Sequence, residues 1–303
     1  MGARIPGLQG LTFPGTTCQA MLYAIRHVTK YHYDQNIQEN VMEVRKHPIS
    51  NDRQRCLTFS LRLDPEVRLF RYQDHLGNVV HHFDVPWSHC EVEIVGESVV
   101  EVRKPDSNGN LTWEQLAKKV EDQDFYDMLE PTALVDLNTS MEGIDFKDFQ
   151  TPHELAAALC KLVRAQFAYE RASTQVDSSS TVVMRQKRGV SQDFAHVMLS
   201  VLRQARIPCR YISGYRFSPE AAEVDTSHAW IEAYVSESGW RGYDPSRGVI
   251  TDETYITNCV GRDYADCPPT RGVFRGNAQS TLKYAVHVRP AEVPAREDQF
   301  VRF

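Results

Sequence analysis

The stretch GVSQDFAH, residues 189–196, decides the fold, because it places a hydroxyl side chain at the start of an amphipathic helix. The spacing predicts a helix from Ser191 to Ala205 that ends before Pro208. A helix N-terminus offers N–H groups without intrahelical partners and the positive end of the macrodipole, and both stabilise negative charge. The first residue of this helix is therefore a good place for a nucleophile, and a cysteine there would have a lowered thiol pKa.

Two later motifs supply a base and a carboxylate. The motif SHAWIE places His228 at the start of a predicted strand, and GYDP places Asp244 at the end of the next one. If Tyr234 faces Trp240 across the hairpin, His228 and Asp244 become diagonal neighbours on one face, within side-chain reach. A carboxylate on one imidazole nitrogen fixes the tautomer while the other nitrogen serves a nucleophile. The sequence thus predicts a catalytic triad of Ser191, His228 and Asp244.

Each triad member alone would also suit a structural role. Ser191 could be a helix N-cap, His228 an ordinary strand residue, and Asp244 a turn residue before Pro245. Their order and their neighbours together favour the triad. Asp193, in the first turn of the helix, is expected to have a structural role there.

The rest of the chain divides into four predicted parts. Residues 1–20 are expected to be a flexible extension, and residues 21–103 a β-rich sandwich or barrel, since short alternating runs are separated by polar turns. Residues 104–150 predict a connecting helix, from Trp113 to Leu129, and a loop. Residues 151–303 predict the catalytic domain, which opens with a capping-box helix start.

Composition excludes several functions. The net charge of −6, with basic residues scattered along the chain, does not favour nucleic-acid binding. No run of apolar residues is long enough for a membrane span, and no targeting segment is recognised, so a cytoplasmic location is expected. Seven widely spaced cysteines predict structural thiols. Adjacent strand residues such as His81 and His82 point to opposite faces, so no metal site is expected there.

Several motifs in this order resemble the bacterial transglutaminase-like proteins, a family of predicted cysteine proteases and amidases with a β-rich N-terminal region. The resemblance covers roughly residues 21–289. The motifs that carry it are GVSQDFAH, CRYISGY at 209–215, SHAWIE, WRGYDP at 240–245, GRDYADCPP at 261–269, and DHLGN at 74–78.

This resemblance implies an α+β, papain-like transglutaminase core, in which the nucleophile-bearing helix packs on an antiparallel sheet after a β-sandwich or barrel domain. It implies acyl transfer at a peptide, isopeptide or glutamine amide, without a cofactor or metal and with water favoured over an amine as the acceptor. The partner would be a peptide or protein substrate. The candidate substrate-binding residues are Gln192, Gly214, Tyr215, Asp263 and Tyr264.

The family motif carries cysteine where this chain has Ser191. A serine hydroxyl ionises far less readily than a thiol, so the thiolate–imidazolium pair cannot form. Three interpretations remain: an introduced substitution that holds substrate without turnover, a natural member that binds without catalysis, or a working serine hydrolase. The competing classes of function are a non-catalytic peptide-binding module in the same cleft and an amine-dependent crosslinking enzyme.

Overall fold

The computed structural model describes residues 20–105, 109–170, 177–219 and 227–292 of the 303-residue chain. All but one of the residues of the predicted flexible extension, 1–20, lie outside these ranges. The first strands are β1 (Met21–Ile37), β2 (Glu39–Val44), β3 (Gln54–Asp64), β4 (Phe70–Gln73), β5 (Val79–Val85) and β6 (His89–Val102). The helices are α1 (Trp113–Asp122), α2 (Tyr126–Leu129), α3 (Pro152–Gln166), α4 (Ser180–Gln186) and α5 (Ser191–Gln204).

The remaining strands are β7 (Ala168–Tyr169), β8 (Arg188–Gly189), β9 (Cys209–Arg216), β10 (His228–Ser236), β11 (Gly239–Asp244), β12 (Val249–Ile250), β13 (Tyr255–Gly261), β14 (Thr270–Arg275) and β15 (Ser280–Pro290). Short 3-10 turns lie at Phe146–Asp148 and Tyr264–Asp266. Within the described residues, no helix has the length and apolar character that crossing a membrane requires.

The N-terminal part consists of two four-stranded sheets, with strand orders β15-β1-β6-β3 and β14-β2-β5-β4. Burial alternates along β1, as expected for a strand with one face in the core. Apolar side chains from β1, β2, β5 and β6 meet in one buried cluster: Tyr33, Ile37, Met42, Val44, Phe83, Val85, Val92 and Ile94. The predicted β-rich domain is therefore confirmed.

Two predicted boundaries differ from the structure. Residues 270–290, assigned above to the catalytic domain, form β14 and β15, which pair with β2 and β1 and complete both N-terminal sheets. Without β14 and β15, one side of β1 and one side of β2 would have backbone N–H and C=O groups without strand partners. The single helix predicted from Trp113 to Leu129 is two helices, because the chain turns extended at Gln123.

The second part has a five-stranded antiparallel sheet in the order β12-β11-β10-β9-β13. Helix α5 packs against β9 and β10, and α3 packs against α5 and β11. Thr151 caps α3 by accepting a hydrogen bond from the Glu154 N–H at 3.2 Å, and Pro152 is its first residue, as the capping-box signature predicts. This is the α+β arrangement expected from the sequence.

The two parts are joined through β13, the edge strand of the second sheet. The Gln54 amide binds both backbone groups of Thr257, donating to its carbonyl at 2.6 Å and accepting from its N–H at 2.8 Å. The Asn78 amide likewise donates to the Val260 carbonyl oxygen and accepts from the Val260 N–H, at 2.7 Å for each bond. These buried amides replace a neighbouring strand and fix the N-terminal sheets against the edge of the catalytic sheet.

Candidate active site

Ser191 is the first residue of α5, at a helix start that its neighbours shape closely. The Val190 N–H donates to Asp193 Oδ2 at 2.8 Å, so the Asp193 carboxylate covers an otherwise unpaired backbone donor. Gly189 packs on the same carboxylate, since a Cβ there would lie 2.6 Å from Asp193 Oδ2. Ser191 is 7% exposed and lines a cleft. The arrangement presents the Ser191 hydroxyl at a helix N-terminus, as predicted.

The His228–Asp244 pair follows from the register of the β10–β11 hairpin. Tyr234 faces Trp240 and Ile231 faces Tyr243, which is the register predicted from the sequence, with an irregularity between Tyr234 and Ser236 that tightens the turn. His228 Nε2 consequently lies 2.7 Å from Asp244 Oδ2. His228 and Ser191 line the same cleft.

The Asp244 carboxylate is fully buried and is held by four hydrogen bonds. Oδ2 accepts from His228 and from the Tyr255 hydroxyl at 2.8 Å, while Oδ1 accepts from the N–H and hydroxyl of Ser246 at 3.0 and 2.7 Å. Burial opposes ionisation, but the hydrogen bond and charge of His228, with the bonds from Ser246 and Tyr255, outweigh it and hold the pKa of Asp244 below its ordinary value. Asp244 is therefore an anion that fixes the orientation and tautomer of His228.

The imidazole of His228 is also held by aromatic rings. It stacks on Trp230, with ring centroids 6.2 Å apart, and Tyr255 packs edge-on against the same indole at 5.3 Å. Gly214 makes room for this stack, because a Cβ there would lie 2.5 Å from the Trp230 ring and 2.1 Å from the Ile256 carbonyl oxygen. Gly214 therefore contributes to the site through close packing under the histidine.

Gly214→Ala is expected to lower the free energy of unfolding by about 2–4 kcal/mol, since both the indole and a backbone carbonyl would have to move. Chemical denaturation measures this loss. Gly96→Ala serves as the control, because its Cβ would find its nearest neighbour at an ordinary 3.4 Å, and we expect less than about 1 kcal/mol there. Equal losses for the two variants would contradict the packing argument.

The cleft has a volume of about 410 Å³ and lies between the two parts of the chain. Among the predicted substrate-binding residues, Gln192 and Tyr264 line it, whereas Gly214, Tyr215 and Asp263 do not. The residues along it are His27, Thr29, Tyr169, Val190, Ser191, Gln192, Tyr211, Ser213, Ser227, His228, Ala229, Tyr264, Pro269, Thr270, Leu282 and Tyr284. Within the described ranges, none of these is an Asp, Glu, Lys or Arg.

The loop that carries Tyr264 is anchored from α5. The Tyr264 N–H donates to His196 Nε2 at 3.2 Å, and Asp263 Oδ1 accepts from the Ala265 N–H at 2.7 Å. Arg203 lies on the same face of α5 as His196 and donates a hydrogen bond to the Arg262 carbonyl oxygen at 2.6 Å. Burial, with the Arg203 charge, lowers the pKa of His196 to about 3, so this imidazole is neutral. Asp263 thus shapes the loop, and its role toward substrate stays a prediction.

No sequence pattern indicated that the N-terminal part contributes to the cleft. His27 and Thr29 lie on β1, and Thr270, Leu282 and Tyr284 lie on or beside β14 and β15. The alternation along β1 predicts which side chains are buried, but not that this face meets a second sheet. The pairing of β15 with β1 and of β14 with β2 brings the strands that carry these residues together.

Three of the six described cysteines are poorly suited to act as alternative nucleophiles. Burial raises the pKa of Cys160 to about 12 and those of Cys56 and Cys209 to about 11, so their thiols stay protonated. The described cysteines are all free. No cluster of three metal-ligating side chains occurs in the described ranges.

Comparison with family models identifies both parts of the chain. Residues 23–101 match the bacterial transglutaminase-like N-terminal region, and residues 146–245 match the transglutaminase-like superfamily. Protein ML0607 of Mycobacterium leprae is 35% identical over 270 residues, which cover 86% of this chain and 96% of that protein. Protein Rv2569c of Mycobacterium tuberculosis is 27% identical over 293 residues, covering 89% and 93%.

Two further similarities concern named activities of other proteins. A protein-glutamine gamma-glutamyltransferase of Pseudomonas aeruginosa is 30% identical over 140 residues, 41% of this chain and 21% of that enzyme. The crystal structure of a candidate cysteine protease from Cytophaga hutchinsonii matches with a TM-score of 0.75 at 21% identity, over 92% of this chain and 93% of that one. At that identity the match shows a shared fold.

Proposed function

Because this chain belongs to the transglutaminase-like superfamily, we propose that its cleft is built for acyl transfer at peptide, isopeptide or glutamine amide bonds through a triad of Ser191, His228 and Asp244. A nucleophile at position 191 attacks the amide carbonyl while His228 takes its proton and returns it to the leaving amine. The backbone N–H of position 191, at the N-terminus of α5, is placed to stabilise the oxyanion. Water then releases the acyl group.

One observation carries the proposal. His228 Nε2 lies 2.7 Å from the buried Asp244 carboxylate, and His228 lines the cleft that Ser191, the first residue of α5, also lines. A histidine that a buried carboxylate orients from one ring nitrogen, and that lines the same cleft as position 191, is suited to act as a general base. A histidine with a purely structural role would require neither the buried Asp244 carboxylate nor a position on the cleft wall.

Ser191 limits what the chain does with this scaffold. A site arranged for a thiolate must remove the serine proton during attack, and this raises the barrier to attack. We propose that the Ser191 form is therefore inactive or holds its substrate without turnover. The three origins of Ser191, introduced, naturally non-catalytic or catalytically competent, predict different rates for the same chain. Hydrolysis of peptide amides by the unaltered protein above that of Ser191→Ala would favour the serine hydrolase.

Hydrolysis is favoured over amine transfer. The described lining of the cleft contains no Asp or Glu that would attract an alkylammonium substrate, and the cleft is open to water. In the Ser191→Cys background, with a glutamine-containing peptide and a labelled amine, we expect free acid to exceed amine adduct by at least about tenfold. Mass spectrometry measures the ratio. A majority of adduct would favour the activity that the Pseudomonas enzyme is named for.

A peptide-binding module is the second candidate function, and Ser191 is the observation that favours it. This reading predicts that peptides bind while Ser191→Cys produces no turnover. Turnover that His228→Ala abolishes supports the enzyme. Amide hydrolysis that is unaffected by His228→Ala would contradict the proposed triad.

A further inference from the structure

The wall of the cleft that faces the triad comes from β1. His27 and Thr29, two residues apart and therefore on one face of the strand, both line the cleft of Ser191 and His228. Both are almost fully buried, at 3% and 2% exposure. These two side chains therefore line the cleft and are almost fully buried, and water screens the hydrogen bonds and charges of such buried groups only weakly.

A buried lysine lies directly behind Thr29. Lys46, just after β2, is 2% exposed, and its Nζ donates to Thr29 Oγ1 at 2.6 Å and to the Ile94 carbonyl at 3.3 Å. Among the described residues, no carboxylate pairs with this ammonium. Burial lowers the pKa of Lys46 to about 7, as expected for a cation that lacks a counter-ion. Below about pH 7 the protein therefore holds a cation one hydroxyl group away from its cleft.

His27 and Tyr215 determine the direction in which the Thr29 hydroxyl donates. Burial and the nearby Lys46 charge hold the pKa of His27 well below its ordinary value, so the ring carries a single proton. His27 Nδ1 lies 3.0 Å from the Tyr215 hydroxyl, and His27 Nε2 lies 3.3 Å from Thr29 Oγ1. Two directions of hydrogen bonding along this chain are therefore possible.

The two directions differ in which hydroxyl proton they leave without an acceptor among the described residues. If Thr29 donated to His27 and His27 to Tyr215, the buried Tyr215 hydroxyl proton would have no acceptor among the described residues. In the reverse direction, Tyr215 donates to His27, and His27 and Lys46 both donate to Thr29 Oγ1. Tyr215 does not line the cleft, whereas Thr29 does, so only in the second arrangement can a ligand or solvent accept the unpaired proton. The second arrangement is therefore favoured, and it leaves the Thr29 proton at the cleft wall without an acceptor among the described residues.

We propose that the Thr29 hydroxyl, backed by Lys46, binds a carboxylate of the substrate, so that the proposed acyl-transfer site acts on peptides with a free carboxylate near the scissile amide. This inference rests on the proposed function for the location of the amide. A carboxylate supplies the counter-ion that Lys46 lacks and receives a charge-assisted hydrogen bond. The described lining has no Asp or Glu that would repel it. The carboxylate is either the peptide C-terminus or an acidic side chain.

Binding of three matched peptides to the chain with Ser191 in place tests the inference without turnover. The probes are acetyl-Ala-Gln-Ala with a free C-terminus, the same peptide as its C-terminal amide, and acetyl-Ala-Gln-Glu amide. Calorimetry at pH 6 is expected to show at least about tenfold tighter binding of one acid-bearing peptide than of the uncharged amide, the usual effect of a hydrogen bond to a charged group. The tighter of the two acids identifies the source of the carboxylate.

Variants assign the preference to Thr29 and Lys46. Thr29→Val is expected to remove the preference, Thr29→Ser to retain it, and Lys46→Met to reduce it severalfold. The double variant Thr29→Val with Lys46→Met guards against misfolding, since replacing both partners by apolar groups is often neutral for stability. Thr270→Val is the matched control: this cleft hydroxyl is bound to the Tyr31 hydroxyl at 2.6 Å, and the preference should stay within about twofold.

Equal binding of acid and amide, including failure of all three peptides to bind, would overturn the inference, and so would a preference that survives Thr29→Val. These results are separable from the proposed function. A preference that depends on Thr29 together with an inert Ser191→Cys chain sustains the carboxylate site and rejects catalysis. Turnover by Ser191→Cys without any carboxylate preference does the reverse.

Discussion

Replacing Ser191 by cysteine is expected to raise the rate of amide hydrolysis by roughly 10²–10⁴-fold, the range contributed by a nucleophile matched to its base. Two features of the site favour the thiolate. The N-terminus of α5 offers unpaired backbone N–H groups at the position, and His228, held by Asp244 at 2.7 Å, can carry the proton as an imidazolium. The serine hydroxyl gains far less from both, because its pKa is too high.

The same variant can be tested without knowing the substrate. The rate of alkylation by iodoacetamide should follow ionisation of the introduced thiol, with a midpoint at least about one pH unit below the 8.5 of an ordinary cysteine. Among the other thiols, the pKa of Cys160 is raised to about 12 and that of Cys209 to about 11, whereas the exposed Cys90 is expected to react as well. Peptide mapping separates the sites.

His228→Ala in the Ser191→Cys background serves as the control and should return the midpoint toward 8.5 and abolish hydrolysis. Ser191→Ala measures the residual rate without a nucleophile. An introduced thiol that titrates as an ordinary cysteine, in a chain whose circular dichroism is unchanged, would show that position 191 is not activated. The triad would then have to be given up.

Asp244→Asn in the Ser191→Cys background is expected to lower kcat by about 10²–10⁴-fold with little change in KM. Asp244 is fully buried and does not line the cleft, so it acts on the substrate only through His228. Its carboxylate accepts hydrogen bonds from His228, Tyr255 and Ser246. In asparagine an NH2 group replaces one carboxylate oxygen, so a hydrogen-bond donor would face at least one of these donors. The imidazole would lose both its fixed tautomer and the charge that stabilises its protonated form.

Tyr255→Phe is the matched control for Asp244→Asn. It removes one hydrogen bond to Asp244 Oδ2 and preserves the charge and the contact with the Trp230 ring, so we expect a loss in kcat below about tenfold. The alkylation profile of the thiol distinguishes an electronic effect from a folding defect, since its midpoint should rise in Asp244→Asn and stay in Tyr255→Phe. Equal losses in kcat would mean that Asp244 acts only as a structural anchor.

Local sequence predicted the triad because each member belongs to a short motif with its own physical logic. The start of α5 follows from the hydroxyl residue before an apolar stripe, and Asp193 covers the Val190 N–H as its first-turn position predicts. The hairpin register follows from strand periodicity, and the observed pairing of Tyr234 with Trp240 is the predicted one. Because β strands alternate faces, that single pairing decides on which side His228 and Asp244 lie.

The cleft wall opposite the triad could not be predicted in this way. His27, Thr29 and Lys46 appear in the sequence as ordinary members of a β-rich segment more than a hundred residues before Ser191. Their position depends on β15 pairing with β1 and on the Gln54 and Asn78 amides clamping β13, which are contacts between distant parts of the chain. The DHLGN motif is a recognisable turn, but nothing local shows that Asn78 reaches the backbone of Val260.

The sequence by itself therefore determined the secondary structure around the proposed triad, the superfamily and the chemistry that a helix start, an imidazole and a carboxylate can perform. Each of these depends on neighbours a few residues apart, where periodicity and capping operate. Tertiary structure alone decided that the last strands complete the first sheets and that a buried ammonium lies behind the far wall of the cleft. Long-range burial sets those contacts, and the energy of a lysine without a counter-ion depends on what surrounds it in space.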